Sequence, residues 1–94
     1  MINETNRIQK YIDVHKNLVL HDALKDIENC ELNEFPRLLH RLKGTLGTFQ
    51  FQELSETLRT LLFLVRQEKS SSNLQKAKED AMNAIQSELQ KEEN

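Results

Sequence analysis

One stretch of the chain gathers side chains that could do chemistry: Leu39-His40-Arg41-Leu42-Lys43-Gly44-Thr45-Leu46-Gly47. On a helix, Lys43, Gly44 and Gly47 fall at i+3, i+4 and i+7 from His40 and share its face. Pro36 and Arg37 lie one turn earlier. The apolar residues of the same segment are Phe35, Leu38, Leu39, Leu42, Leu46 and Phe49. They span an arc of roughly 100°, and His40 projects roughly 150° from its centre. An imidazole in solvent is therefore expected, with a cation beside it and almost no side-chain bulk C-terminal to it. Neutral imidazole is a good nucleophile at about pH 7 and can take a phosphoryl group on a ring nitrogen. Lys43 would supply positive charge to the phosphoryl oxygens. A glycine inside a helix costs ~1 kcal/mol relative to alanine. Two on the histidine's side of one short helix imply that something large approaches the backbone there.

The rest of the chain must position that face. Two glycines and one proline in 94 residues argue against an all-β fold and fit helices joined by short links. A first helix is expected from about Glu4 to Asn29. Ile8, Tyr11, Ile12, His15, Leu18 and Val19 lie on one of its faces. Leu20, Ala23, Leu24 and Ile27 lie on a stripe rotated by roughly 100°. A kink or break near Val19–Asp22, or a change of neighbours along the helix, would account for the shift. Cys30-Glu31-Leu32-Asn33 reads as a link, with Asn33 capping a second helix of about 33–48 and Pro36 tolerated in its first turn. A third helix runs from about Phe51 to Lys69, with Phe51, Leu54, Leu58, Leu61, Leu62 and Val65 on its stripe. Phe63 and Leu64 lie off it, packed against a neighbour or open to docking. Ser70-Ser71-Ser72 reads as a loop with Asn73 as N-cap. A last helix, about Leu74 to Gln90, turns Leu74, Ala77, Ala81, Ala84, Ile85 and Leu89 inward, and the polar tail Lys91-Glu92-Glu93-Asn94 is expected to fray. Four amphipathic segments predict an all-α fold, an antiparallel four-helix bundle, with residues 1–94 as a single domain.

Composition narrows the function. Thirteen Lys+Arg against fifteen Asp+Glu give a net charge of −2, too little basic charge for general nucleic-acid binding. The longest apolar cluster, Leu61 to Val65, is far short of the ~18 residues of a membrane span. The N-terminal residues lack the basic-then-apolar pattern of a secretory leader. The single Cys30 can form neither an internal disulfide nor a Cys-based zinc site, and is expected to pack as a small apolar residue in a reduced, cytoplasmic setting. No P-loop, nucleophile elbow or metal-ligand cluster is present, so no metal site is expected. His15 and His21 read as structural or solvated histidines.

His40-Arg41-Leu42-Lys43-Gly44 resembles the HxLKG core of histidine-containing phosphotransfer (HPt) domains. Leu38-Leu39 before it and Leu54 ten residues after Gly44 agree with the flanking pattern. The likeness covers roughly Asp22 to Gln67 at motif level, and the four-helix layout fits the whole chain. It implies a phosphorelay carrier: His40 as phosphoacceptor, Lys43 as phosphate stabiliser, Gly44 as clearance for the partner. Such a domain takes the group from a receiver-domain aspartyl phosphate or from a histidine kinase and passes it to a response-regulator receiver domain. It has no kinase activity of its own and binds no cofactor; Mg²⁺ is expected on the receiver. A monomer is expected. Two positions depart from the pattern. Gln50 stands where many members have a glycine, and Leu62 where many have a Glu or Gln that hydrogen-bonds the ring. Gln50, Gln52 or water would then orient the imidazole, or the ring is freer and transfer slower. Leu62 could instead join an apolar docking patch near His40, in a docking set with Pro36, Arg37, Gly47 and Gln50.

Two other readings compete. One is an HPt-like interaction module that docks on a signalling partner without carrying phosphate, which Leu62 favours. The other is the dimerisation and phosphoacceptor hairpin of a sensor histidine kinase. That family also has a phenylalanine five residues before its histidine, as Phe35 is here. But its usual Glu after the histidine is Arg41, its downstream proline is absent, and no ATP-binding domain follows.

Overall fold

The apolar periodicity closes into four helices around one core. In a computed structural model, which describes residues 4–93, these are α1 (Glu4–Asn29), α2 (Phe35–Thr48), α3 (Gln52–Gln67) and α4 (Ser71–Glu93), with a 3₁₀ turn at Leu32–Glu34 leading into α2. Helix α1 packs on α2, α2 on α3, α3 on α4 and α4 on α1. The core contains every stripe residue expected of α3, five of the six of α2, and Leu74, Ala77, Ala81, Ile85 and Leu89 of α4. Phe49, Ala84 and Cys30 pack against its edge, half-buried. Among the described residues no polar or charged side chain is buried. No described helix is long and apolar enough to cross a membrane.

Helix α1 decides between alternatives that the sequence leaves open. It runs as one continuous helix with no break near Val19–Asp22. Leu20, Ala23 and Ile27 enter the core, so the opposite side of the same cylinder faces solvent. Tyr11, Val14 and Leu18 are consequently more than half exposed. The side chains of Ile8 and Ile12 lie outside the described residues. Of the first apolar stripe, Tyr11 and Leu18 therefore face outward, while Val19 packs half-buried against the core.

Polar ties join the helices at their ends, where backbone groups lack helical partners. Helix α1 ends without a basic residue in its last turn, and Lys78 of α4 donates to the carbonyls of Cys30 at 2.9 Å and Glu28 at 3.5 Å. Asn33 does not cap α2: it lies in the 3₁₀ turn, and α2 starts at Phe35 with Pro36 in the first turn. Asn73 does not cap α4 either. The cap is Ser70, whose Oγ accepts from the Asn73 N–H at 3.1 Å. The Asn73 side chain instead donates to the carbonyls of Glu68 at 2.7 Å and Leu64 at 3.3 Å, closing the end of α3. Helix α4 continues through Glu93, past the expected start of the tail; Asn94 lies outside the described residues.

The α2–α3 link explains Gln50. The Phe51 N–H donates to the Leu46 carbonyl at 2.9 Å, and the Gln50 N–H to the Gly47 carbonyl at 3.0 Å. This is a Schellman ending, whose outermost residue must take a left-handed backbone. Gln50 does so, with φ 69°, while Leu46 and Phe51 on either side are buried. A glycine suits that position because it has no Cβ to clash. Gln50→Gly should raise stability by about 0.5–1 kcal/mol, and Gln50→Val should lower it by about 1 kcal/mol. Urea denaturation followed by circular dichroism measures both.

Candidate functional site

Burial of Phe35, Leu38, Leu39, Leu42 and Leu46 fixes which way α2 faces, and residue 40 falls on the far side. His40 is exposed and forms no hydrogen bond or ion pair among the described residues. Lys43 follows at i+3, half-buried along its stem, and its ammonium pairs with no carboxylate among the described residues. The neighbouring arginines differ. Arg41 Nη2 reaches Asp26 of α1 at 3.2 Å, and Arg37 Nη1 reaches Glu34 at 3.6 Å. The face thus offers one uncommitted cation beside an uncommitted imidazole. A shallow depression lined by Asp26, Cys30, Glu34, Arg37, Leu38 and Arg41 adjoins it, with both arginines engaged. Burial pushes the Cys30 thiol above its ordinary pKa; Lys78 and Arg41 pull it down, and Glu34 and Glu31 push it further up. Its Sγ–H donates to the Glu31 carbonyl at 3.1 Å.

The two glycines separate. A Cβ on Gly44 would meet nothing within 4 Å, and its backbone has no positive φ. Neither packing nor conformation within this chain therefore calls for a glycine there. A Cβ on Gly47 would lie 3.5 Å from Ser55 Oγ of α3. Gly47 sits half-buried at the α2–α3 contact and does not belong to the open strip over His40.

The expected docking set is likewise divided. Pro36 is half-buried in the first turn of α2, and Arg37 is exposed. Leu62 is 3% exposed and lies in the core, so it forms no surface patch. Gln50 lies beyond the last residue of α2, Thr48, at the opposite end of the helix from its first turn. Gln52 opens α3 at that same end. Phe63 is exposed, and Leu64 lines a groove between α3 and α4 with Asn73, Lys76 and Asp80.

The outward strip of α1 was not expected as surface. The ring of Tyr11 stacks on His15 with centroids 4.2 Å apart and lies 6.5 Å from Phe49 at the end of α2. His15 Nδ1 donates to the Tyr11 carbonyl at 2.9 Å. The signal that could have revealed the strip was present: Tyr11, Val14 and Leu18 lie opposite Leu20, Ala23 and Ile27 on one continuous wheel. Among the described residues no three His, Cys, Asp or Glu side chains form a group that could hold a metal ion.

The chain is thus an all-α bundle with His40 and Lys43 one turn apart on the outward side of α2. The Hpt domain family model matches residues 14–94, and the chain belongs to the Hpt domain family. Comparison with curated proteins gave no match, and neither did comparison with solved structures. Hpt domains are phosphocarriers, not kinases; they serve histidine phosphotransfer in two-component signalling and interact with its receiver and kinase components.

Gly44→Ala should stabilise the fold by up to about 1 kcal/mol through helix propensity alone. Gly47→Leu should destabilise it by about 1–3 kcal/mol, because the added side chain meets Ser55. Denaturation midpoints of the two variants test this division.

Proposed function

We propose that this chain carries a phosphoryl group on His40. A ring nitrogen of His40 attacks the phosphorus of a receiver's aspartyl phosphate; the P–O bond to the carboxylate breaks, the carboxylate leaves, and the N–P bond forms. The reverse sequence charges a second receiver, and a histidine kinase is an alternative donor. Mg²⁺ belongs to the receiver in this reading. The chain supplies the nucleophile, the charge of Lys43 for the phosphoryl oxygens, and clearance at Gly44. The single observation that carries the reading is the empty space over Gly44 beside an unpaired His40 and Lys43. A helix accepts the cost of glycine there with no return inside its own chain. A monomer in a reduced cytoplasmic setting completes the reading.

Burial of Leu62 favours one other reading, an interaction module that docks without carrying phosphate, because α3 offers the ring no polar partner at that position. The kinase-hairpin reading needs His40 within a dimer's bundle, whereas the four helices of one chain already enclose the core and leave His40 outside it.

Incubation with Mg²⁺ and a receiver charged by acetyl phosphate should give acid-labile, base-stable label on the wild-type chain and none on His40→Gln. Label that persists in His40→Gln defeats the assignment. Receiver binding without label, across several receivers, establishes the interaction module instead. Gly44→Leu should keep its helical spectrum and lose transfer; transfer near the wild-type rate would refute the clearance role.

A further inference from the structure

Each neighbouring helix pair carries a directional polar tie. Arg41 joins α2 to α1, Asn73 joins α4 to α3, and Lys78 joins α4 to α1. The tie from α3 to α2 is Ser55, and it grips the turn that holds the site. Ser55 is the fourth residue of α3, placed by its own N–H, which donates to the Phe51 carbonyl at 2.9 Å. From there its half-buried hydroxyl donates to the carbonyl oxygen of Lys43 at 2.9 Å. That oxygen belongs to the peptide unit between Lys43 and Gly44.

Leucine side chains alone leave a helix some freedom to roll, because apolar contact has no direction. A hydrogen bond across a half-buried interface has direction and a low-dielectric setting that strengthens it. Gly47 fits the same arrangement, since its bare Cα leaves the Ser55 hydroxyl 3.5 Å from where a Cβ would stand. At position 62, where a polar α3 side chain could have steadied the imidazole, there is a buried leucine. The Ser55 hydroxyl offers a route to orientation that runs through the backbone instead.

We propose that Ser55 is a positioning residue: its hydroxyl fixes the Lys43–Gly44 peptide and so the direction in which His40 and Lys43 face a partner. The proposal rests on the phosphotransfer reading of that face. Ser55→Ala removes the hydroxyl and Ser55→Thr keeps it. At saturating charged receiver, Ser55→Ala should transfer about fivefold more slowly, the factor expected from one lost hydrogen bond. Its half-saturating receiver concentration should stay unchanged, and Ser55→Thr should transfer as the wild type does. Amide resonances of residues 40–47 should broaden or shift in Ser55→Ala while the rest of the spectrum holds. Wild-type transfer in Ser55→Ala overturns the proposal, as does a loss confined to half-saturation or a collapse of the whole spectrum. If the wild-type chain takes no label at all, the carrier reading falls. Ser55 is then judged on the amides alone, and an unchanged 40–47 segment in Ser55→Ala overturns it.

Discussion

Burial of the apolar arc of α2 is the constraint on which the site depends. Phe35, Leu38, Leu39, Leu42 and Leu46 can enter the core only if the opposite side of the helix meets solvent. His40 and Gly44 lie on that opposite side, and Lys43 on its border. Among the described residues the core holds no polar side chain, so no buried polar network competes with the arc in setting the helix's orientation. Hydrophobic burial thus places the imidazole outside, and the hydroxyl of Ser55 refines the placement from the α3 side.

The electrostatics of the face follow from which charges are already paired. Arg37 and Arg41 are nearer in sequence to His40 than most cations, yet both hold carboxylates. Exposed pairs of this kind contribute little to stability, about 0–1 kcal/mol. Their consequence here is local: they leave Lys43 as the uncommitted positive charge beside the ring. Gly44 adds the second condition, space. The proposed group transfer needs a nucleophile, charge for the group and room for the donor, and one and a half turns of α2 carry a candidate for each in His40, Lys43 and Gly44.

Much of this was legible in the sequence, because a four-helix bundle writes its core as periodic apolar residues. The stripes of α2, α3 and α4, all but Phe49 and Ala84, lie in the observed core, and the outward position of His40 follows from the same wheel. What was not legible has identifiable physical causes. In α1 two apolar stripes compete, and only packing against α2 and α4 decides that Leu20, Ala23 and Ile27 enter while Tyr11 and Leu18 stay out. Asn33 and Asn73 both look like N-caps, but capping depends on backbone geometry one or two residues away: a 3₁₀ turn takes Asn33, and Ser70 precedes Asn73. Gln50 stands at a left-handed position that its own side chain does not mark, and only the glycine that many Hpt domains carry there points to it. The separation of Gly44 from Gly47 turns on one contact with Ser55, across an interface whose register sequence spacing does not specify.

Three histidines make the central claim separable: His15 stacks on Tyr11, His21 lies on α1, and His40 stands on the open face of α2. The most direct measurement is NMR of the chain with ¹⁵N-labelled imidazoles, before and after exposure to a phosphorylated receiver, with ³¹P detection of the N–P bond. The account predicts one phosphoramidate signal, with only the His40 ring nitrogens displaced. A phosphoramidate on His15 or His21, or no N–P bond while the receiver loses its phosphoryl group to water, would contradict it.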